Sequence, residues 1–195
     1  MNLSKHPCKL THDPSQDPSH ESVREESYEL VHERLMRAAI AVARRSREKG
    51  NHPFGAILVD ERGEILLEAE NTVETEGDCT GHAETNLMRL ASKGYDKAFL
   101  SRCAVYTSTE PCAMCAGAIY WAGVGRVVFG MREAALFEMT GRDPKNPTLQ
   151  LPCEEVFARG GQTVSVIGPV LEEEARAIHA GFWNPTSNPN PDREG

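Results

Sequence analysis

Two short stretches with a strand-like run between them place the strongest constraint on this chain. The first, G-H-A-E-T-N, carries His82 and, two residues on, Glu84; the second, T-E-P-C-A-M-C, carries Cys112 and Cys115. The run C-A-V-Y-T-S, from Cys103 to Ser108, separates them. If the histidine and the two cysteines hold one zinc ion, the fold must bring both stretches to a single point. Three protein ligands leave one vertex of a tetrahedral zinc open, as in a catalytic rather than a structural site. Glu84 is spaced to reach a water on that vertex without ligating the metal itself. Pro111 suits the start of a helix, and a helix N-terminus favours the thiolate form of Cys112 and Cys115.

The elements around these stretches follow from hydrophobic spacing. From Glu26 to Lys49 the apolar positions Leu35, Ala38, Ala39, Val42 and Ala43 repeat at helical intervals, and Gly50 with Pro53 closes the run. Phe54 to Asp60 and Glu64 to Glu70 read as strands joined by a short hairpin loop, so the sheet opens antiparallel. His82 to Lys93 predicts a helix, Ala104 to Thr107 a strand, Cys112 to Ala122 a helix and Arg126 to Gly130 a strand, which together make a βαβ unit. Helices over Glu133 to Met139 and Cys153 to Arg159, a loop over Gly141 to Pro152, a strand over Thr163 to Ile167 and a last helix over Leu171 to Trp183 complete the chain. The long connection after Val128 has room for a crossover, so the fifth strand is expected to run parallel to the fourth. The expected fold class is α/β: a three-layer αβα sandwich around a mixed five-stranded sheet, strands 4 and 5 parallel. Residues 1–26 and 184–195, poor in apolar side chains, are expected to be flexible tails around a single catalytic domain over 27–183.

Composition narrows the partners. With 195 residues the chain suits one well-filled domain, and no apolar run approaches the length of a membrane span. The start has no apolar segment of the kind a secretory signal needs, so the six cysteines are expected to be reduced in a cytoplasmic setting. A net charge of −8 disfavours a partner whose affinity rests on neutralising phosphates, so nucleic acid is disfavoured and a small molecule is expected. Two other readings of the cysteines stand beside the open site. A lone C-x-x-C is often a redox pair, and Cys79 or Cys103 would make a closed, four-ligand structural site, although the His-x-Glu would then have no task. The remaining histidines, His52 and His179 among them, read as tail or surface residues.

The order H-x-E, then P-C-x-x-C, is the pattern of zinc nucleobase deaminases. The blocks N-H-P-F-G-A-I-L-V, G-H-A-E-T-N, S-T-E-P-C-A-M-C-A-G-A-I-Y-W-A and V-V-F-G resemble the cytidine and deoxycytidylate deaminase superfamily over roughly Tyr28 to Trp183. They are most similar to its guanine deaminase and nucleoside deaminase branch, with tRNA adenosine deaminases as near relatives. The resemblance implies zinc held by His82, Cys112 and Cys115, Glu84 as the proton shuttle, Asn71 hydrogen-bonding substrate from the end of the second strand, and a homodimer. Phe54 in P-F-G-A resembles the free-base purine branch, and Phe182-Trp183 resembles tails that close the site there, so Phe54 and Trp183 join Asn71 as substrate-binding candidates. The activity implied is hydrolytic deamination of a free base or nucleoside, guanine to xanthine and ammonia first. Cytosine or cytidine deamination, tRNA adenosine deamination and a noncatalytic zinc-binding role are the alternatives.

Overall fold

The computed structural model describes residues 18–140 and 149–183, with side chains from Tyr28 onward. The tails expected at 1–17 and 184–195, and most of the expected loop, lie outside the described residues. Helix α1 runs from Pro18 to Glu48. Its start comes earlier than expected, so residues 18–26, read as tail, are helical in their backbone. Pro at a first helical position and the helix-favouring Glu21, Arg24 and Glu25 account for that extension. Strands β1 (Gly55–Val59) and β2 (Ile65–Glu70) follow, then α2 (Val73–Glu76), α3 (Ala83–Gly94), α4 (Lys97–Leu100), β3 (Ala104–Thr109), α5 (Ala113–Ala122) and β4 (Arg126–Met131). Helices α6 (Glu133–Thr140) and α7 (Cys153–Phe157), strand β5 (Ser165–Ile167) and α8 (Glu172–Ala177) complete the described chain.

Helices α2 and α4 escaped the sequence reading because a single turn shows no periodicity. Local devices make them: the Asp96 carboxylate accepts from the Phe99 N–H at 2.7 Å to start α4, and Gly77, at φ 64°, closes α2. The last helix is shorter than expected. It ends at Ala177, and Gly181 at φ 71° turns the chain, so Phe182 and Trp183 lie beyond the helix rather than on it.

The sheet order is β2-β1-β3-β4-β5. Strand β1 pairs antiparallel with β2 and β3, whereas β3 with β4 and β4 with β5 are parallel, the last through Arg126 with Ser165 and Val128 with Ile167. The expected mixed sheet and its parallel fourth and fifth strands are therefore present. Alternation along the strands sorts the core into two layers. Ala56, Leu58, Val105 and Val127 face Leu87 and Ala91 of α3 and Ile119 of α5. Ile57, Val59, Tyr106 and Val128 face Leu35, Met36, Ala39 and Val42 of α1 and Ala175 of α8. Every residue of β1 is buried because both of its faces are covered. Among the described residues no helix is long and apolar enough to cross a membrane.

Gly55 is where α1 comes closest to the sheet. A Cβ placed there would lie 2.3 Å from the Ala43 backbone N, 2.7 Å from the Val42 carbonyl carbon and 2.8 Å from the Ala39 carbonyl oxygen. These are backbone atoms of a packed helix and cannot swing aside as a side-chain tip can. Gly55→Ala is therefore expected to lower stability by about 1–3 kcal/mol, read as a lower urea midpoint at unchanged m-value.

Candidate active site

The loops that precede α3 and α5 meet beyond the carboxyl end of β3. His82 and Cys112 occupy the N-cap positions of α3 and α5 with extended backbones, and neither side chain is spent on capping its helix. Cys115 lies in the first turn of α5 and is fully buried. The His82 Nδ1 atom is 3.6 Å from each of the two sulfurs, and the three donor atoms all lie within 4.8 Å of one another. Tetrahedral zinc with ordinary Zn–N and Zn–S bonds separates such atoms by about 3.6 Å, so the donor set fits the ion in spacing as well as in chemistry. Cys79 and Cys103 are not part of this group. Cys79 lines the neighbouring cavity, while Cys103 is buried at the start of β3 with its thiol toward the Phe99 carbonyl oxygen.

Electrostatics at this point are those of a crowded anionic site. The Cys112 thiol is held well below its ordinary value, chiefly by a hydrogen bond with Cys115 and next by one with His82, while Cys115 is pushed up as the partner that keeps the proton. A metal ion displaces that proton on binding. His82 is raised by its Cys112 hydrogen bond against the opposing effect of burial. Glu84, buried at the start of α3, is raised mainly by burial, and Thr107 of β3 donates to its Oε1 at 2.6 Å in partial compensation.

A cavity of about 510 Å³ opens beside the three ligands, lined by His82, Glu84 and Cys112 together with Phe54, Trp183, Glu110, Glu133 and Leu136. The expected residues His82, Cys112, Cys115, Glu84, Phe54 and Trp183 are thus brought to one place. Asn71 is fully buried at the end of β2 and is not among the lining residues. Its Oδ1 accepts from the Val73 N–H at 3.0 Å, and its Nδ2 has no partner among the described residues. The amide therefore keeps an unpaired donor, with one lone pair of its oxygen already engaged.

Several residues of the site gave no signal in the sequence. His52 and His179, read as tail or surface positions, both belong to an aromatic cluster with Phe54, Phe182 and Trp183. The His179 ring stacks on Trp183 with centroids 5.9 Å apart and accepts at Nδ1 from the indole N–H at 3.1 Å. Burial first, then Arg47 and His52, push it down to about 3, so it stays neutral. Arg47 of α1 donates to the carbonyl oxygens of Ile178 and Ala180 at 2.6 and 3.0 Å, which pins the terminal segment against the cavity. Asn51 accepts at Oδ1 from the N–H groups of Glu74 and Thr75 and so orders α2, whose Val73 and Glu74 line the same cavity. Burial, followed by the charges of Cys112, Glu110 and Glu84, pushes Glu133 up to about 8. Met114 also lines the cavity and is partly exposed.

The donor geometry makes a direct prediction about metal. Purified protein is expected to carry about one zinc per chain, and His82→Ala or Cys112→Ala to lose it. Cys79→Ala and Cys103→Ala are expected to keep it. Elemental analysis decides, and loss of zinc in either of the last two variants would replace the open site with a closed one.

Comparison with known proteins agrees with this geometry. The cytidine and deoxycytidylate deaminase zinc-binding region matches residues 30–131. The chain is 40% identical over 149 residues to a probable cytosine deaminase of Schizosaccharomyces pombe, covering 76% of this chain and 90% of that one. It is 36% identical over 155 residues to a tRNA-specific adenosine deaminase of Bacillus subtilis, covering 77% and 88%. A solved guanine deaminase from Nitrosomonas europaea superimposes with a TM-score of 0.60 at 27% identity, over 75% of this chain and 81% of that one. With both the ligand geometry and the match over more than half its length, the chain belongs to the zinc-dependent cytidine and deoxycytidylate deaminase family.

Proposed function

We propose that the protein hydrolytically deaminates a free base or nucleoside, guanine first. The observation that carries this reading is that one cavity is lined both by His82, Cys112 and Glu84 and by the rings of Phe54 and Trp183, the latter delivered by the chain's own terminal segment. Its volume of about 510 Å³ is in the range of small-molecule sites and leaves room for a bicyclic base.

When bound, zinc supplies a nucleophile at neutral pH by acidifying a water. The protein's side chains do the rest. Thr107 occupies Oε1 of Glu84, so Oε2 takes the proton of the attacking water and delivers it to the ring nitrogen next to the reacting carbon. As the C–N bond breaks, the same carboxylate takes the second proton from the newly added hydroxyl and passes it to the departing amine, which leaves as ammonia while the water's oxygen stays on the ring as a carbonyl. Phe54 and Trp183 offer their faces to the planar base. Asn71, fully buried and outside the cavity lining, would reach an acceptor on the base's edge with its unpaired Nδ2 only if the wall between them moved.

A cytosine substrate is the second reading, favoured by the 40% identity to the S. pombe protein across most of both chains. An RNA substrate is disfavoured by the net charge of −8 and by the run Glu172, Glu173 and Glu174 that opens α8. A cytoplasmic homodimer belongs to the same reading. Thiol cysteines suit a reducing compartment, and Trp121 on α5, 72% exposed, offers apolar surface that a second copy would cover.

The decisive comparison sets guanine, guanosine, cytosine, cytidine and an anticodon-stem RNA side by side in one buffer at physiological salt, with ammonia as the readout. Guanine is expected to react fastest. Activity confined to cytosine or cytidine would keep the mechanism and discard the purine assignment, and activity confined to the RNA would overturn the free-base reading. Glu84→Gln is expected to keep its zinc while turnover falls by about a hundredfold to ten-thousandfold. Near wild-type turnover in that variant would remove Glu84 from the chemistry. Trp183→Ala is expected to raise KM about two- to tenfold through lost stacking, with a smaller change in kcat.

A further inference from the structure

Glu110 lines the cavity and is buried, yet it is not part of the metal-ligand group and has no place in the proton transfer above. Its carboxylate is committed to backbone. Oε2 accepts from the N–H of Glu133, the first residue of α6, at 3.2 Å, and Oε1 accepts from the N–H of Cys153, the first residue of α7, at 3.1 Å. Its own N–H donates to the Met131 carbonyl oxygen at the end of β4 at 2.7 Å. One residue therefore ties together the end of β3, the end of β4 and the starts of two helices. The helices it joins otherwise pack in different layers: Leu136 of α6 sits in the core on the α1 side, whereas Cys153 and Phe157 of α7 sit in the core on the α3 and α5 side.

Position in the chain gives this bracing a direction. Pro111 and Cys112 follow Glu110 immediately, so the metal loop and the bracing carboxylate move as one piece. On the far side, the segments it holds supply Glu133, Leu136 and Leu149 to the cavity lining. A charged acceptor suits the task, because the first-turn N–H groups of a helix lack intrahelical partners and bind a carboxylate more strongly than a neutral group.

We propose that Glu110 is a positioning residue that transmits the placement of the metal loop to the substrate side of the cavity, setting where Glu133, Leu136 and Leu149 meet the base. The transmission is independent of the substrate, and only its effect on base recognition rests on the free-base reading.

Amide hydrogen exchange on the full chain, zinc-loaded and chelator-stripped, tests the transmission without any turnover. In the wild type, stripping zinc is expected to speed exchange at the Glu133 and Cys153 amides at least about tenfold, while Leu35 in α1 and Val127 in β4 keep their protection. In Glu110→Ala both amides are expected to exchange fast with or without zinc, so the response to the metal disappears. Glu110→Gln, milder and safer for folding, keeps one carbonyl acceptor and is expected to protect only one of the two. An unchanged response in Glu110→Ala, no response in the wild type, or a uniform rise that includes Leu35 and Val127 would each overturn the proposal. The enzymatic arm uses Glu110→Gln at full zinc content: KM for the preferred base is expected to rise about tenfold or more with a smaller fall in kcat. An equal fall in kcat for every base at unchanged KM would count against a role in substrate placement. A wild type inert toward all the bases would fail the free-base reading alone, and the exchange result would still stand.

Discussion

Everything in this molecule depends on bringing two helix starts to one point and keeping negative charge there. His82 begins α3 and Cys112 begins α5, and β3 between them holds the two loops at the same end of the sheet. The convergence places two positive helix ends around thiolates that would otherwise be costly to bury. It also gathers Glu84, Glu110 and Glu133 around Cys112, and burial first, with the Cys112 charge adding to it, raises Glu84 and pushes Glu133 up to about 8. A dipositive ion reverses that logic, since it is the largest charge in such a site and stabilises the anions that repel one another without it. Metal binding and the protonation of the surrounding carboxyls are parts of one balance.

The sheet makes the convergence possible because it changes direction at β3. Antiparallel pairing on the β1 side sets the start of β1 next to the carboxyl end of β3, so Phe54 reaches the same cavity as the ligands of α5. Parallel pairing on the β4 side places the start of α6 there too. Gly55 completes the arrangement, for its missing side chain lets α1 settle on the sheet and brings Arg47 within reach of the terminal segment.

The ligands, Glu84 and the helix-strand-helix unit around them were legible in the sequence because each is a local pattern with a chemical reason for its spacing. The parallel fifth strand was legible from a connection long enough for a crossover together with the resemblance to purine-acting deaminases. Residues whose role is set by distant contacts were not. His179 reads as a surface residue on an acidic helix, and only the turn at Gly181 with the Arg47 hydrogen bonds brings it under Trp183. Asn71 carries both a donor and an acceptor in the sequence, and the fold spends its oxygen on the Val73 N–H. The single-turn helix α2 depends, besides Gly77 at its end, on Asn51, far enough away in the chain that no local pattern joins them.

The terminal segment supplies one wall of the cavity through Trp183. His179 must be neutral to accept from the Trp183 indole at Nδ1, and its burial beside Arg47 keeps it so well below its ordinary range. Arg47 thus does two things at once: its hydrogen bonds to the Ile178 and Ala180 carbonyl oxygens fix the backbone, and its charge adds to the burial that keeps the ring beneath Trp183 unprotonated. A wall built in this way is held by backbone contacts and not by the ligand, so it stands before substrate arrives and costs little ordering on binding. A flat base can lie against this cluster, whose Phe54 and Trp183 rings, 6.1 Å apart, both border the cavity. A net charge of −8 gives a polyanion little attraction, which is the physical reason for proposing the cavity as a site for small molecules.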